Sequence, residues 1–334
     1  AGMRSTCSHR PLATHVPEYD AVAVARLRRA GAIILGKTNL PELAMDYQTV
    51  SPLFGRTSNP WDLSRTPGGS SGGGAAAVAA GLTYLELASD LAGSIRVPAH
   101  FCGIYGFAPT STLVPRTGSL PERTGGGTLP AFLRIGALAR SLADVSLFLT
   151  IVSGPDPSDP VVPPVALGPV PDRPLTDLRI AWTDDLGLPV SAGIRQALQS
   201  FVARLSDGGC HIEQASPPGF DPALARELHS YFLMTAVGAT LPPLVRLAGR
   251  HLGRVKAFDL DLARYLQAEG QRIQLMEALE RFLTEWDAWI CPVAATSAFK
   301  HLDPARYVGA MPVYPALQVD GQAVDYSLAN GGFT

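Results

Sequence analysis

The chain has 334 residues, 46% of them hydrophobic, so it is long enough to bury a sizeable core in one large domain or two smaller ones. Its formal net charge is −2 and 17% of its residues are charged, which argues against a basic surface for nucleic acid and against an acidic tail. The sequence contains no run of about 18 or more apolar residues that would predict a membrane span, and no signal peptide, so we expect a cytoplasmic protein.

The four cysteines lie far apart and form no CxxC pair. This spacing favours neither a disulfide framework nor a zinc site. We interpret them as spectator thiols in a reducing compartment. They are Cys7, Cys102, Cys210 and Cys291.

The first predicted elements alternate between helix and strand. Asp20 to Ala30 is predicted to be a helix that ends at Gly31, because apolar residues recur at helical spacing before a glycine. Residues 32–35 predict a short buried strand, and Asn39 to Met45 predict a short helix with Asn39 as its cap. A helix followed directly by an apolar strand is typical of α/β proteins.

The most informative segment covers residues 66–98. A Gly-Ser loop at 68–74 leads into small residues at 75–81, predicted to be a helix, and then into an apolar strand at 82–88. A second short loop at 89–94 follows, and a new helix begins after it. Two serine-bearing loops thus flank one helix-and-strand unit. Consecutive backbone N–H groups in the second loop would form a concave site for an oxyanion.

The rest of the chain predicts further helices and strands on either side of a proline-rich linker at 155–174. Because this linker does not require two domains, we interpret residues 1–334 as a single α/β domain with a helical excursion at 222–287. The remaining predicted elements are helices at 137–152, 191–205 and 224–283, and strands at 179–182, 210–213 and 288–293.

Two short patterns match known motifs without the structural context that those motifs need. Gly31 to Thr38 fits the P-loop formula GxxxxGK[ST], but a helix precedes it and the four middle residues are predicted to form a strand that would not curl around a phosphate. Gly69 to Gly73 fits the GxSxG nucleophile elbow, but a turn precedes it where a strand is required. We reject both interpretations.

Ser70 and Ser94 have two interpretations. Either serine alone is most simply the cap of a helix, since serine is common at that position. Their occurrence in two loops joined by one helix-and-strand unit favours a catalytic pair, with Ser94 at the end of the donor-lined turn where a nucleophile would lie. The residues by themselves leave both interpretations open.

The segments GGSSGGGAAAVAAG and SDLAGSIRVPAHFCGIYGFAPT resemble the signature of the amidase signature family, serine hydrolases that cleave amides and related C–N bonds. GAIILGKTNLPELAM and PLFGRTSNPWDLSRTPGG upstream, and IGALARSLADVSLFLTIVSGPDPSDP downstream, are similar to the same family. The resemblance extends over nearly the whole chain and is most specific between Thr66 and Thr110. It implies the amidase-signature fold, a central mixed β-sheet covered by α-helices on both faces.

The resemblance also implies catalytic roles. Ser94 corresponds to the nucleophile that forms the acyl-enzyme, and Ser70 corresponds to a serine whose peptide bond is cis and which relays protons. The oxyanion hole would consist of the backbone N–H groups of Leu91, Ala92, Gly93 and Ser94.

Further residues would support the site. By resemblance, Asp90 and Arg96 brace the second loop, and Ser71 holds the hydrogen-bond network. Ala92 stands where many family members have glycine, so its methyl group would narrow the site. The acyl pocket would be lined by Ala44, Met45 and Phe101, and the excursion at 222–287 would shape the substrate cavity.

A serine hydroxyl needs a base before it becomes a good nucleophile. In the family this base is a lysine kept neutral by desolvation, and the resemblance places it upstream of these 334 residues. Lys37 matches a different family position, and Lys256 and Lys300 lie in variable regions. We therefore expect the chain to be incomplete at both ends and, as it stands, inactive in an assay of amide turnover.

The resemblance predicts an amidase that acts through a Ser–cis-Ser–Lys mechanism without metal or organic cofactor. Carbamate (urethane), ester and aryl-acylamide bonds are further candidate substrates. Two alternatives stay open: the glutaminase-type A subunit of a tRNA-dependent amidotransferase, which acts in a complex, and a non-catalytic relative with the same fold. The expected partner is a small-molecule amide or carbamate. We expect no nucleic acid or membrane partner, and the oligomeric state is left open.

Overall fold

The computed structural model describes residues 1–119, 132–164, 167–240, 261–308 and 311–334. Their contacts divide them into two compact units. The first unit takes in the described residues within 1–127, 131–169 and 293–334, and the second takes in those within 170–292. The boundary falls inside the segment predicted as a proline-rich linker. The interpretation of residues 1–334 as one domain stays a prediction.

An antiparallel sheet of three strands organises the first unit. The strands are Leu85–Asp90 (β3), Tyr105–Phe107 (β4) and Arg134–Ala139 (β5), and their order in the sheet is β3-β5-β4. β5 is central and pairs with β3 from Leu85↔Ala139 to Asp90↔Arg134. Since β5 has a hydrogen-bonded neighbour on each side, it is the best-buried strand of the sheet.

Helices pack on both faces of this sheet. Side chains alternate between the two faces of a strand, so Ile135 and Leu138 of β5 belong to different apolar clusters. Ile135 packs with Val22–Arg29 (α1) and Leu142–Val152 (α4), and Leu138 packs with Gly72–Ala79 (α2) and Arg96–Cys102 (α3). The first unit also contains two-stranded antiparallel pairs and one further short α-helix. They are Val50–Ser51 (β1) with Gly55–Arg56 (β2), Arg306–Val308 (β9) with Met311–Val313 (β10), Leu317–Val319 (β11) with Gln322–Val324 (β12), and Tyr326–Gly331 (α8).

The second unit contains a parallel sheet. Its strands are Arg179–Trp182 (β6), His211–Gln214 (β7) and Ala288–Ile290 (β8), in the order β7-β6-β8. The helix Ala192–Asp207 (α5) connects β6 to β7, as a parallel pair requires. Two further helices, Pro222–Thr240 (α6) and Leu262–Leu283 (α7), lie in the predicted excursion at 222–287, while residues 241–260 lie outside the described residues. The role of this excursion at a substrate cavity stays a prediction.

Helices combined with parallel and antiparallel strands confirm the α/β class, but three local predictions are wrong. Residues 32–40 have no regular secondary structure, and Ile33 and Leu35 are 86% and 72% exposed, because no described strand pairs with this segment. Residues 134–139 form a strand, so the helix predicted at 137–152 begins only at Leu142. The side-chain amide of Asn39 caps no helix and donates instead to the Gly55 carbonyl and the Thr57 hydroxyl.

Gly73 lies in the first turn of α2, where the backbone of Asn39 comes close. The Asn39 carbonyl accepts a hydrogen bond from the Gly73 N–H at 3.2 Å, and a Cβ at Gly73 would overlap the same carbonyl. Glycine is therefore needed here for this close approach, since any larger side chain would push the two segments apart.

We expect Gly73→Ala to lower the free energy of unfolding by about 1–3 kcal/mol through overpacking. The control is Gly270→Ala in α7, where an added Cβ meets nothing within 4 Å. That substitution should raise the free energy of unfolding by about 0.5–1 kcal/mol, because alanine favours a helix interior. Denaturant unfolding of both variants measures the difference, and a Gly73→Ala variant as stable as wild type would contradict the packing argument.

Candidate active site

The first serine loop is enclosed by its neighbours. Gly68 has a φ of +85°, and a Cβ at this position would lie 2.8 Å from the Cα of Pro98. The peptide bond between Gly69 and Ser70 is cis, in agreement with the prediction for this bond. Ser70 is 3% exposed. This loop is therefore a buried turn that presents its serine inside the first unit.

The two serine loops lie side by side. The backbone N–H of Ser71 donates to the carbonyl of Ser94 at 3.2 Å, and the hydroxyl of Ser71 lies 3.5 Å from the carbonyl of Ser89. Ser94 is half-buried. Residues that stand 23 positions apart thus meet, as expected from two loops that flank one helix-and-strand unit. The catalytic roles of Ser70 and Ser94, and the network role of Ser71, stay predictions.

Asp90 holds the second loop in place. Its carboxylate is buried and forms a two-pronged ion pair with Arg96, at 3.0 Å from Nε to Oδ2 and 2.7 Å from Nη2 to Oδ1. It also accepts the backbone N–H groups of Gly93, Ile95 and Arg96 at 2.9–3.3 Å. Burial by itself raises the pKa of Asp90, but the hydrogen bonds and the charge of Arg96 outweigh burial and hold the pKa below its ordinary value. Asp90 is therefore ionised at neutral pH and ties both ends of the loop together.

This arrangement changes the predicted set of oxyanion donors. The Gly93 N–H donates to Asp90 Oδ1 at 2.9 Å, so it braces the loop from within, contrary to its predicted role in an oxyanion hole. The physical reason is that the strand β3 extends to Asp90 and places the carboxylate directly under the turn. The donor roles of Leu91, Ala92 and Ser94 stay predictions.

A second carboxylate, the half-buried Asp46, is absent from the sequence-based prediction. It accepts hydrogen bonds from the hydroxyls of Tyr314 and Tyr326, each at 2.7 Å, and from the backbone N–H of Tyr47. The Tyr47 hydroxyl in turn donates to the carbonyl of Ala92 at 2.8 Å. Burial raises the pKa of Asp46, and these hydrogen bonds partly offset that increase. No local pattern could reveal this cluster, because both tyrosines lie more than 260 positions from Asp46 in the sequence.

The predicted acyl-pocket residues lie in two places within the first unit. Ala44 and Met45 are half-buried at the end of a short 3₁₀ turn at Glu42–Ala44. Phe101 is buried in α3 and packs edge-on against Phe299, with ring centroids 5.7 Å apart. Its packing thus makes Phe101 part of the apolar core, and its contact with substrate stays a prediction.

Lys37 lies in a different environment from the serine loops. Burial lowers the pKa of Lys37, and the neighbouring Cys7 and Asp20 act in the opposite direction. None of the groups that act on its pKa belongs to a serine loop, so Lys37 is not assigned as the catalytic base.

The described residues contain no group of three or more His, Cys, Asp or Glu side chains that could hold a metal ion. None of the helices in the described part of the chain is both long and apolar enough to cross a membrane.

The fold and the paired serine loops define a class: an α/β protein whose candidate site consists of a cis-peptide turn beside a carboxylate-braced turn. A family model for amidases matches residues 1–320. The chain belongs to the amidase signature family.

Several relatives share much of this sequence. The A subunit of glutamyl-tRNA(Gln) amidotransferase from Thermus thermophilus is 37% identical over 281 residues, which cover 83% of this chain and 55% of that protein. The same protein of Synechococcus sp. (strain RCC307) is 41% identical over 342 residues, which cover 89% of this chain and 67% of that protein. This chain spans about half to two thirds of the length of such curated relatives.

Solved structures agree with this family. The A subunit of glutamyl-tRNA(Gln) amidotransferase from Thermotoga maritima superposes with a TM-score of 0.78 at 26% identity, covering 98% of this chain and 71% of that one. A 6-aminohexanoate cyclic dimer hydrolase superposes with a TM-score of 0.74 at 25% identity, covering 100% of this chain and 72% of that one. These matches confirm the amidase-signature fold.

We expect Tyr47→Phe to lower kcat about three- to tenfold with little change in KM. The lost hydrogen bond to the Ala92 carbonyl is worth about 1 kcal/mol, and it would orient the loop that carries the predicted nucleophile Ser94, which affects the reaction more than binding. The matched control is Tyr84→Phe, whose ring is exposed and whose hydroxyl has no described partner; it should leave both constants unchanged. Steady-state kinetics on the natural polypeptide that contains this sequence measure the predicted fall in kcat. Equal kcat values for Tyr47→Phe and wild type would show that this hydrogen bond does not orient the loop.

Glu86 is a half-buried acid that has no role in the catalytic prediction. It lies on β3 against Gly74, and its carboxylate accepts a hydrogen bond from the Thr38 hydroxyl at 2.6 Å. Burial raises its pKa from 4.5 to about 7, with the Thr38 bond acting in the opposite direction. The folded protein therefore retains this proton at pH values at which the unfolded chain has already lost it.

We expect the free energy of unfolding to fall as the pH rises from about 4.5 to about 7, since the folded state binds the extra proton in this window. Glu86→Gln should remove this decline and unfold at a higher denaturant concentration than wild type at pH 8. Glu280→Gln, at an exposed position of α7, serves as the control and should keep the decline. Denaturant unfolding across this pH range provides the measurement, and an unchanged pH profile in Glu86→Gln would show that another group is responsible.

Proposed function

We propose that this protein hydrolyses amide bonds of small molecules, with Ser94 as the nucleophile and Ser70 as the proton relay. The observation that supports this proposal most is the contact between the two serine loops, in which the Ser71 N–H meets the Ser94 carbonyl beside a cis Gly69–Ser70 bond. Membership of the amidase signature family adds support. A pair of helix caps would not need two loops held together in this way.

The proposed reaction has two halves. The Ser94 Oγ attacks the substrate carbonyl and passes its proton to Ser70, which passes one to the lysine base that the family resemblance implies. The carbonyl π electrons move to the oxygen, and the resulting oxyanion accepts hydrogen bonds from loop N–H groups such as those of Ala92 and Ser94. Collapse of this intermediate breaks the C–N bond, and the proton returns through Ser70 to the leaving amine. Water then attacks the acyl-enzyme and releases the acid.

Asp90 and Arg96 would serve this reaction without touching the substrate. A donor array stabilises an oxyanion best when its geometry is set before the reaction, because little reorganisation is then needed. The ion pair and the three backbone bonds of Asp90 hold the turn in one conformation. This rigidity is what the proposed oxyanion site requires.

The proposed substrate class follows from the bond that joins the acyl group to its leaving group. The Ser94 hydroxyl would form its acyl-enzyme from amides first, and from carbamates (urethanes), esters and aryl acylamides as further acyl donors. The likeness to a 6-aminohexanoate cyclic dimer hydrolase supports a small-molecule amide. A panel with one acyl group and an amide, ester or carbamate link would rank these substrates by kcat/KM.

A second candidate function is that of the glutaminase component of an amidotransferase. The observation that favours it is the set of sequence relatives, which are described as A subunits of glutamyl-tRNA(Gln) amidotransferase. Such a protein would act in a complex and take glutamine as its amide donor. Co-purification with stable partner proteins, together with a preference for glutamine in the panel, would favour this candidate over a free-standing amidase.

We expect Ser94→Ala to abolish both amide turnover and covalent labelling by a fluorophosphonate probe, with a loss of at least about 1,000-fold in kcat. Ser70→Ala should retain a folded site and lose about 100- to 10,000-fold, the range for a removed proton-transfer group. The natural polypeptide that contains this sequence is used, and Ser146→Ala at an exposed position of α4 serves as the control. Labelling of a residue other than Ser94 in the wild-type enzyme would refute the assignment.

A further inference from the structure

A cavity of about 270 Å³ lies at the end of the sheet where β3 and β5 carry opposite charges. Two guanidinium groups, a threonine and two small apolar residues line it. The lining residues are Arg96, Ala108, Pro109, Thr110 and Arg134, all within the first unit. This site is smaller than most drug-sized pockets, which suits a small ligand.

Arg134 faces this cavity from the first position of β5. Its direct cross-strand neighbour is Asp90, whose side chain lies on the same face of the sheet. That carboxylate is already occupied by Arg96 and by three backbone N–H groups. Among the residues that the structure describes, none forms a hydrogen bond or a salt bridge with the guanidinium group of Arg134. The side chains of Asp90, Arg96 and Arg134 therefore combine one carboxylate with two guanidinium groups, which leaves a surplus of one positive charge.

The surplus positive charge is partly removed from water. Arg134 is half-buried, and burial lowers its pKa, followed by the repulsion of Arg96, while Asp90 acts in the opposite direction. A half-buried cation without a counter-ion is unfavourable, because it loses hydration and gains no partner in exchange. An anion in the cavity would remove this penalty.

The donors around the cavity match an oxyanion. Arg134 offers its whole guanidinium fork, and a planar fork binds two oxygens of a carboxylate or phosphate at once. Arg96 uses Nε and Nη2 on Asp90, so that its Nη1 has no partner among the described residues. The Thr110 hydroxyl is likewise without a described partner. We propose that this cavity binds a small oxyanion, a carboxylate or a phosphate, between Arg134, Arg96 and Thr110.

This site is separate from the proposed chemistry of Ser94. Its donors are the side chains of Arg96, Thr110 and Arg134, and none of them is a predicted nucleophile, proton relay or oxyanion donor. Binding should therefore persist in Ser94→Ala. A failure of the hydrolase proposal would leave this inference intact, and the reverse also holds.

Isothermal titration of the natural polypeptide tests the proposal, with inorganic phosphate in one arm, acetate in the other, and sodium chloride at equal ionic strength as the reference. We expect saturable binding of at least one of the two anions, and Arg134→Gln should weaken it at least tenfold. Arg281→Gln, at an exposed position of α7, is the control and should bind as wild type. Saturable binding of phosphate alone would identify the ligand class as phosphates, and saturable binding of acetate alone would identify it as carboxylates. Absence of saturable binding, or equal affinity in Arg134→Gln, overturns the proposal.

A second measurement separates loss of the site from loss of the fold. Without anion, Arg134→Gln should unfold at the same temperature as wild type or above it, since it removes a cation that the described residues leave unpaired. With anion, the wild type should gain thermal stability and the variant should not. If Arg134→Gln does not fold, Thr110→Val replaces it and should weaken binding about threefold or more through the lost hydroxyl. Unchanged affinity in Thr110→Val would then count against the proposal.

Discussion

The buried carboxylate of Asp90 is the group on which the candidate site depends. It ends strand β3, accepts the backbone N–H groups of Gly93, Ile95 and Arg96 in the turn that leads into α3, and pairs with the Arg96 side chain. A buried charge persists only when it is paired and hydrogen-bonded, and Asp90 satisfies both conditions. The turn that carries Ser94 is consequently a rigid connection between a strand and a helix. Because the Asp90 carboxylate is fully occupied by these partners, the Arg134 guanidinium has no counter-ion among the described residues. The bonding of Asp90 therefore accounts both for the conformation of the loop and for the positive charge of the cavity beside it.

The Asp46 cluster supplies a second constraint on the same loop. Tyr314 and Tyr326 hold the Asp46 carboxylate, and Tyr47 extends from it to the Ala92 carbonyl. Gly69 lies directly on the backbone of Asp46 and Tyr47, where a side chain would not fit. The pair Asp46–Tyr47 thus contacts both serine loops at once. Its anchor is a part of the chain far away in sequence, which packs in an apolar cluster around Tyr326.

The two candidate functions share one chemical step, the cleavage of an amide bond through an acyl-enzyme. Cleavage of an amide through an acyl-enzyme would serve a free-standing amidase and a glutaminase component of a larger complex equally well. The proteins similar to this chain include A subunits of glutamyl-tRNA(Gln) amidotransferase and a 6-aminohexanoate cyclic dimer hydrolase. The serine loops would carry that step in either case. What separates the two candidates is the acyl donor that is bound and the partner that is present, which depend on other parts of the protein.

Local sequence determined those features that depend on neighbours a few residues away. The strand at 179–182 lies at its predicted bounds, and the helix before Gly31 and the two loops around one helix-and-strand unit are present as predicted. The cis bond before Ser70 was implied by the family resemblance, which draws on a recurring local motif. Periodicity, glycine placement and motif are sufficient for such features, because their causes lie within one turn or one loop.

Tertiary structure alone decided which groups are partners. The segment at 134–139 is a strand because β3 and β4 lie on either side of it, although its small apolar residues also suit a helix. The Gly93 N–H is bound to Asp90, and Asp46 is bound to tyrosines more than 260 positions away. A donor binds the acceptor that folding brings within about 3 Å, and that proximity depends on the whole chain and not on the residues next to it.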